Sequence, residues 1–219
     1  MTQTNAPVHI SVVLDRSGSM SAIASDIVGG FNEFLADQRR RPGEARITLV
    51  QFDGEDPFEV LIDAADLRRV ADLSPDAYRP RGMTPLYDAV GRMIERIDSG
   101  IGKRRRQRLE PEDHVVAIVT DGLENASRKH SRHSVFDLIE DRGKDGWVFV
   151  FLGANQDSYA TGEGLAVAPR NRADWAPTPE GSRKMWKDLA YSSGAHRAKP
   201  RHRRISESGE FYKEDPDAG

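Results

Sequence analysis

Short apolar runs of strand length alternate with longer amphipathic stretches along this chain, and that alternation restricts its fold more than any other property. Residues 8–14, Val8-His9-Ile10-Ser11-Val12-Val13-Leu14, read as a first strand. Residues 21–39 follow as a helix, with Ile23, Ile27, Phe31, Phe34 and Leu35 recurring on one face. A second strand is expected over 45–52 and a shorter one, near a sheet edge, over 57–62. Residues 84–99 read as a helix that turns Leu86, Val90, Met93, Ile94 and Ile97 inward, with Thr84 able to cap it. Residues 114–119 are continuously apolar, as in a strand buried on both faces. A short helix over 134–142, a strand over 147–152 and a last helix over 179–191 complete the pattern, the last striped by Met185, Trp186 and Leu189. The alternation predicts an α/β chain: a Rossmann-like, doubly wound, mostly parallel central sheet with helices on both faces and a short antiparallel edge strand.

Sheets of this kind bind ligands at the carboxyl ends of their strands, where strand order reverses. The chain concentrates hard oxygen donors at those places. Asp15-Arg16-Ser17-Gly18-Ser19-Met20 leaves the first strand with a carboxylate and two hydroxyls at alternate positions. Met83-Thr84-Pro85-Leu86 opens the second long helix, and Val119-Thr120-Asp121-Gly122 ends the continuous apolar run. An all-oxygen set suits Mg²⁺, Mn²⁺ or Ca²⁺ and not zinc or copper. Each donor also has a simpler use. Ser17, Ser19 and Thr84 can cap helices, and Asp121-Gly122 can form a turn.

The ordered set Asp-x-Ser-x-Ser, then Thr, then Asp-Gly resembles the metal-ion-dependent adhesion site of von Willebrand factor type A domains. The segments Ile27-Val28-Gly29-Gly30-Phe31-Asn32, Thr48-Leu49-Val50-Gln51-Phe52-Asp53 and Phe151-Leu152-Gly153-Ala154-Asn155-Gln156-Asp157 resemble bacterial stand-alone members. The resemblance covers roughly residues 8 to 195. It implies a metal site of Asp15, Ser17, Ser19, Thr84 and Asp121. In the family the two serines and, in the ligand-bound state, the threonine ligate directly, while the aspartates act largely through water or hydrogen bonds. Mg²⁺ or Mn²⁺ is the expected ion, Ca²⁺ suiting the site less well. Neutral direct ligands leave the cation electron-poor, so a partner carboxylate is expected as a further ligand. The implied function is a metal-dependent protein-interaction module whose partner presents an Asp or Glu, and not an enzyme. The enzymatic alternative is a Mg²⁺-dependent, phosphatase-like hydrolase with Asp15 as nucleophile. Haloacid-dehalogenase-like phosphatases need a second aspartate two residues on, where this chain has Ser17. A Gly-x-Ser-x-Gly elbow is also absent.

Other features bear on partners and compartment. The 219 residues suggest one domain over 1–195 and a disordered, charged tail over 196–219, because the tail has almost no apolar content. Net charge is −3, which favours no polyanion partner, although Arg39-Arg40-Arg41, Lys103-Arg104-Arg105-Arg106 and the segment 196–204 are locally basic. These runs lack interleaved aromatics, so nucleic acid is not expected. Gly100-Ile101-Gly102-Lys103 is only a fragment of a phosphate loop and follows no strand. Asn125, Asn155, His130 and His133 lie near the donor-bearing loops and are read chiefly as loop or surface residues. There are no cysteines, no apolar run long enough to span a membrane and no visible secretory signal, so a cytoplasmic location is expected.

Overall fold

A computed structural model describes residues 6–154 and 158–217. Six strands form one sheet: β1 (Val8–Asp15), β2 (Ala45–Phe52), β3 (Glu59–Asp66), β4 (Asp113–Thr120), β5 (Val148–Gly153) and β6 (Arg172–Asp174). The helices are α1 (Ala24–Arg40), α2 (Leu86–Arg106), α3 (Arg132–Lys144), α4 (Ser158–Glu163), α5 (Pro179–Ala198) and α6 (Arg201–Ser206). Strand order is β3-β2-β1-β4-β5-β6. All neighbours are parallel except β2 and β3. The order reverses between β1 and β4, so the crevice expected of a doubly wound sheet opens above their carboxyl ends.

Alternation along each strand divides the core into two layers. Val8, Ile10, Val12 and Leu14 of β1 join Phe31, Phe34, Trp186 and Leu189 on the side of α1 and α5. Val13, Val50, Val116 and Ile118 face Leu86, Val90, Met93 and Ile94 of α2 on the other side. β4 is buried along its whole length, as its unbroken apolar run requires. Between α1 and α5 the backbones come close. A Cβ on Gly30 would lie 2.2 Å from Trp186 Cδ1, so only glycine fits beneath that indole.

Several boundaries differ from the sequence expectation. Residues 18–23 form a separate 3₁₀ turn before α1. α2 continues seven residues beyond 99, through the basic run, because Lys103 to Arg106 face the helix carboxyl end, where positive charge is favoured. Edge strand β3 is eight residues long and antiparallel. It is irregular, with register shifts against β2 and Ala64 at φ 44°. The other edge, β6, has three residues and carries too little pattern to be read from sequence.

The largest correction concerns the segment read as a disordered tail. α5 extends to Ala198, α6 follows, and Phe211 is buried against the α1–α5 layer. Composition misleads here because the arginines find fixed acceptors. Arg204 is almost wholly buried and donates to Asp113 Oδ2 at 3.1 Å and to the carbonyls of Ala6, Arg197 and Lys199. Arg197 donates to the Gln38 carbonyl at 2.7 Å. Farther on, Lys213 N donates to Ser192 Oγ and Asp215 N to Asp188 Oδ1, both at 2.8 Å. The segment therefore covers the outer face of α5, whose buried surface is much wider than the Met185-Trp186-Leu189 stripe.

Candidate metal centre

The five predicted donors come from three loops above the β1–β4 crevice. Asp15 ends β1 and is fully buried. Its Oδ1 accepts from Ser17 N at 2.7 Å and its Oδ2 from Thr120 Oγ1 at 2.5 Å. Ser17 Oγ lies 3.1 Å from Ser19 Oγ, and Ser19 Oγ donates to Asp121 Oδ1 at 2.6 Å. Gly122 locates the fourth wall. A Cβ built there would meet Thr84 Oγ1 at 3.1 Å, Ser19 Oγ at 3.7 Å and Asp15 Oδ2 at 3.8 Å. Oxygens from all three loops thus border one small space that the glycine keeps open.

The capping roles open to these hydroxyls are not taken up. Ser17 precedes the 3₁₀ turn Gly18–Ile23 yet makes no side-chain cap. α2 begins at Leu86 with Pro85 in the cap position and no side-chain cap, so Thr84 Oγ1 is not spent on the helix. Thr84 is positioned through its backbone instead: its N–H donates to Asn125 Oδ1 at 2.8 Å, and its carbonyl accepts from Asn125 N at 3.2 Å.

Two carboxyl groups stand close together in the crevice, both shifted by burial. Burial, reinforced by Asp121, pushes the Asp15 carboxyl up to about 6 against the hydrogen bonds from Thr120 and Ser17. Burial also raises Asp121. The one cationic side chain of the first motif turns away: Arg16 Nε donates to Asp53 Oδ2 at 2.7 Å and its Nη1 to Glu59 Oε2 at 2.6 Å. That pairing fixes the loop to the β2–β3 turn, where Asp53 also accepts from Glu55 N, Asp56 N and Arg81 Nε. Two carboxyl groups with desolvated oxygens and three hydroxyls suit a hard divalent ion. Among the described residues no cluster of three or more His, Cys, Asp or Glu side chains could hold a metal, as expected where hydroxyls supply most donors.

Sequence reasoning missed the residues that hold this set in place. Thr120 stands next to Asp121, but nothing in its local sequence marks it as the partner of Asp15. Tyr78 donates its hydroxyl to the Asp15 carbonyl at 2.5 Å, and nothing in its sequence context marks it. Asp88 accepts from the N–H groups of Arg128, Lys129 and His130, binding the loop after β4 to α2. Glu124 adds a bond from Tyr87 N at 3.0 Å. Asn125 is the loop-bonding residue expected of it. His130 packs over Gly91 with Nε2 3.6 Å from Glu95, and His133 is exposed beside Asp137 on α3. Asn155 lies outside the described residues.

No family model matches the chain, and no curated protein matches it in sequence. Many solved structures match its fold. The von Willebrand factor domain of the type V pili tip protein Mfa5 from Porphyromonas gingivalis superposes with a TM-score of 0.65 at 11% identity, covering 90% of this chain and 98% of that one. A von Willebrand factor type A protein from Catenulispora acidiphila gives 0.61 at 12% identity over 86% of this chain and 43% of that one. Manganese-loaded TRAP protein from Plasmodium vivax gives 0.54 at 15% identity over 86% and 72%. This chain spans less than half the length of several matched proteins. The protein has the von Willebrand factor type A fold.

Proposed function

We propose that the protein is a metal-dependent protein-interaction module. Mg²⁺ or Mn²⁺ would be held by Ser17, Ser19 and Thr84, with Asp15 and Asp121 behind them. When bound, the cation supplies an electrophilic coordination position that an Asp or Glu of a partner protein can fill. The observation that carries this reading is the Gly122 cradle, around which Asp15, Ser19 and Thr84 place oxygens within 4 Å of one point. The matched TRAP structure holds manganese, which supports a divalent ion of this kind.

The chain's own groups prepare the site. Asp121 accepts from Ser19 Oγ and so orients that hydroxyl, while Asp15, fixed by Ser17 N and Thr120 Oγ1, adds negative charge behind it. Ser19 is exposed, so the cradle is reached from solvent on its side. Met83 and Leu123, each 51% exposed, flank Thr84 and Gly122 and offer apolar contact to residues beside a partner's carboxylate. The same geometry weighs against the hydrolase alternative. Both Asp15 oxygens accept hydrogen bonds and the side chain is fully buried, which places it poorly to attack a phosphoryl group.

Isothermal calorimetry with Mn²⁺ and Mg²⁺ tests the reading. One site is expected in the native chain and none in Asp15→Ala. Equal binding by the variant would sink the assignment. Mg²⁺-stimulated phosphate release from a generic phosphomonoester would restore the hydrolase.

A further inference from the structure

The second opening of the molecule lies at the other end of the sheet. His9, Thr48 and His114 sit near the beginnings of β1, β2 and β4, on the face that α2 covers. Six residues separate His9 from Asp15 along one strand, or ~20 Å at the usual rise. Farther up this face the residues are Val13, Val50, Val116 and Ile118, so the sheet changes from apolar to polar toward its amino end. α2 does not close over the polar part. Its facing positions there include Ser99 and Gly100, and a Cβ on Gly100 would meet nothing within 4 Å. The result is a cavity of about 690 Å³ between α2, the sheet and Phe58 and Val60 at the β3 edge. Ligand pockets commonly have ~300–1,000 Å³.

Five basic side chains line it, Arg46, Arg92, Arg96, Lys103 and Arg104, against three acidic ones, Asp63, Glu95 and Glu112. Each acid is already engaged. Asp63 pairs with Arg96 at 2.6 Å and Glu95 lies 3.6 Å from His130. Glu112, buried, receives both Arg46 at 3.1 Å and Arg104 at 3.3 Å. One carboxylate therefore serves two guanidinium groups. Arg92 lies over the Phe58 ring at 4.7 Å, and neither it nor Lys103 has a carboxylate partner among the described residues. The floor holds a further unmet group: His114 is 95% buried, yet its Nδ1 has no hydrogen-bond partner among the described residues. Burial holds His114 at about 4 and His9 at about 3, so both rings are neutral at physiological pH and can hydrogen-bond without adding charge. Leaving a buried polar atom unsatisfied is costly, and a ligand atom that bonds to it recovers that cost.

We propose that this cavity binds a small organic phosphate, its phosphate engaged by Lys103 and the Arg46–Arg104 pair, with His114 Nδ1 bonded to its polar body and Arg92, about three turns of α2 (~16 Å) away beside Phe58, meeting its far end. Phosphate suits the site better than a lone carboxylate because its three oxygens can meet several separately placed cations at once. The basic run that begins at Lys103 thereby gains a role beyond closing the helix. The site is independent of the metal centre, and a test in EDTA separates the two.

The experiment is calorimetry on the full chain in phosphate-free, low-salt buffer containing EDTA, with AMP, ADP, pyrophosphate and citrate as probes. Imidazole resonances of His114 are followed by NMR in parallel. At least one phosphate compound is expected to bind once per chain and shift the His114 signals. Arg92→Ala/Lys103→Ala should weaken it at least tenfold, both positions being outside the core, while Asp15→Ala should leave it unchanged. No heat and no shift with any phosphate probe at about 5 mM would overturn the site. Citrate binding as tightly as pyrophosphate would overturn the phosphate class, and binding unaltered in the double variant would overturn the location.

Discussion

Thr120 Oγ1 donates to Asp15 Oδ2 across 2.5 Å, joining the carboxyl ends of the two strands between which the sheet reverses its order. The bond fixes the rotamer of the most buried carboxylate in the candidate centre and leaves the hydroxyls of Ser19 and Thr84 to border the cradle, with Ser17 Oγ beside Ser19. Thr120→Val keeps the shape and removes the donor. It should cost about 1–3 kcal/mol in urea unfolding, since Asp15 Oδ2 loses its partner in a buried setting. Mn²⁺ affinity should fall ~10–100-fold, as when a group that orients a ligand is removed. Unchanged metal affinity would show that Asp15 needs no such support.

Gly122→Ala addresses the cradle alone. The added methyl would stand 3.1 Å from Thr84 Oγ1, inside the space that the oxygens border. Metal binding should weaken at least tenfold, while the melting temperature without metal moves by less than about 4 °C, the shift of roughly 1 kcal/mol. Loss of folding without a specific loss of metal binding would mean that the glycine serves the loop and not the site.

Gly30→Ala is expected to act in the core. Its methyl would meet Trp186 Cδ1 at 2.2 Å, and Trp186 is held between Phe31 and Phe34 with ring centroids at 5.5 and 5.9 Å. Overpacking of this kind costs about 1–3 kcal/mol. Denaturation with tryptophan fluorescence reads both the stability and the altered indole environment. A neutral result would show that α5 can move outward freely.

Phe211→Ala tests the segment that closes over α5. A large buried aromatic cut to alanine costs about 3–5 kcal/mol. A melting temperature within a degree or two of the native value would return residues 199–217 to the disordered tail that their composition suggests.

Acid should weaken the fold. His9, His114 and His196 are depressed chiefly by burial to about 3, about 4 and about 4, from 6.5 in the free side chain. Below pH 6.5 the unfolded chain takes up protons that the folded chain refuses. The stability present above that value is therefore lost progressively as pH falls toward the folded values. Asp15, raised to about 6, acts in the opposite sense, because the folded state binds its proton first. Burial also raises Asp121 and Asp174, while Asp53 and Asp88, against burial, are lowered by hydrogen bonds and add to the loss in acid. The three imidazoles with these two carboxyls outweigh the raised ones, so urea midpoints measured at about pH 7, 5.5 and 4.5 should decline in that order. A flat series would show that the imidazoles accept protons within the fold.

What the sequence makes legible here is whatever repeats with a period or sits at the end of a run. The alternating residues of β1 and the continuous apolar stretch of β4 locate the strands, and the donors follow at their ends. Thr120, Tyr78 and Asp88 were not legible, because each acts across 40 or more residues of chain on a partner that no local pattern marks. The arginines of residues 197–204 misled for the same reason. A guanidinium reads as solvated until the fold brings Asp113 and a row of carbonyls to meet it.

The two borders of the sheet determine how another chain can approach it. β6 offers three residues, too few to template a neighbour, and β3 is broken by the left-handed Ala64 and carries the charged Asp63 beside it. A visiting strand would find no straight, open ladder to extend on either side. Recognition by strand addition, one of the common ways in which sheets recruit peptides, is thereby disfavoured. Runaway edge-to-edge stacking at high concentration is resisted by the same two irregular margins.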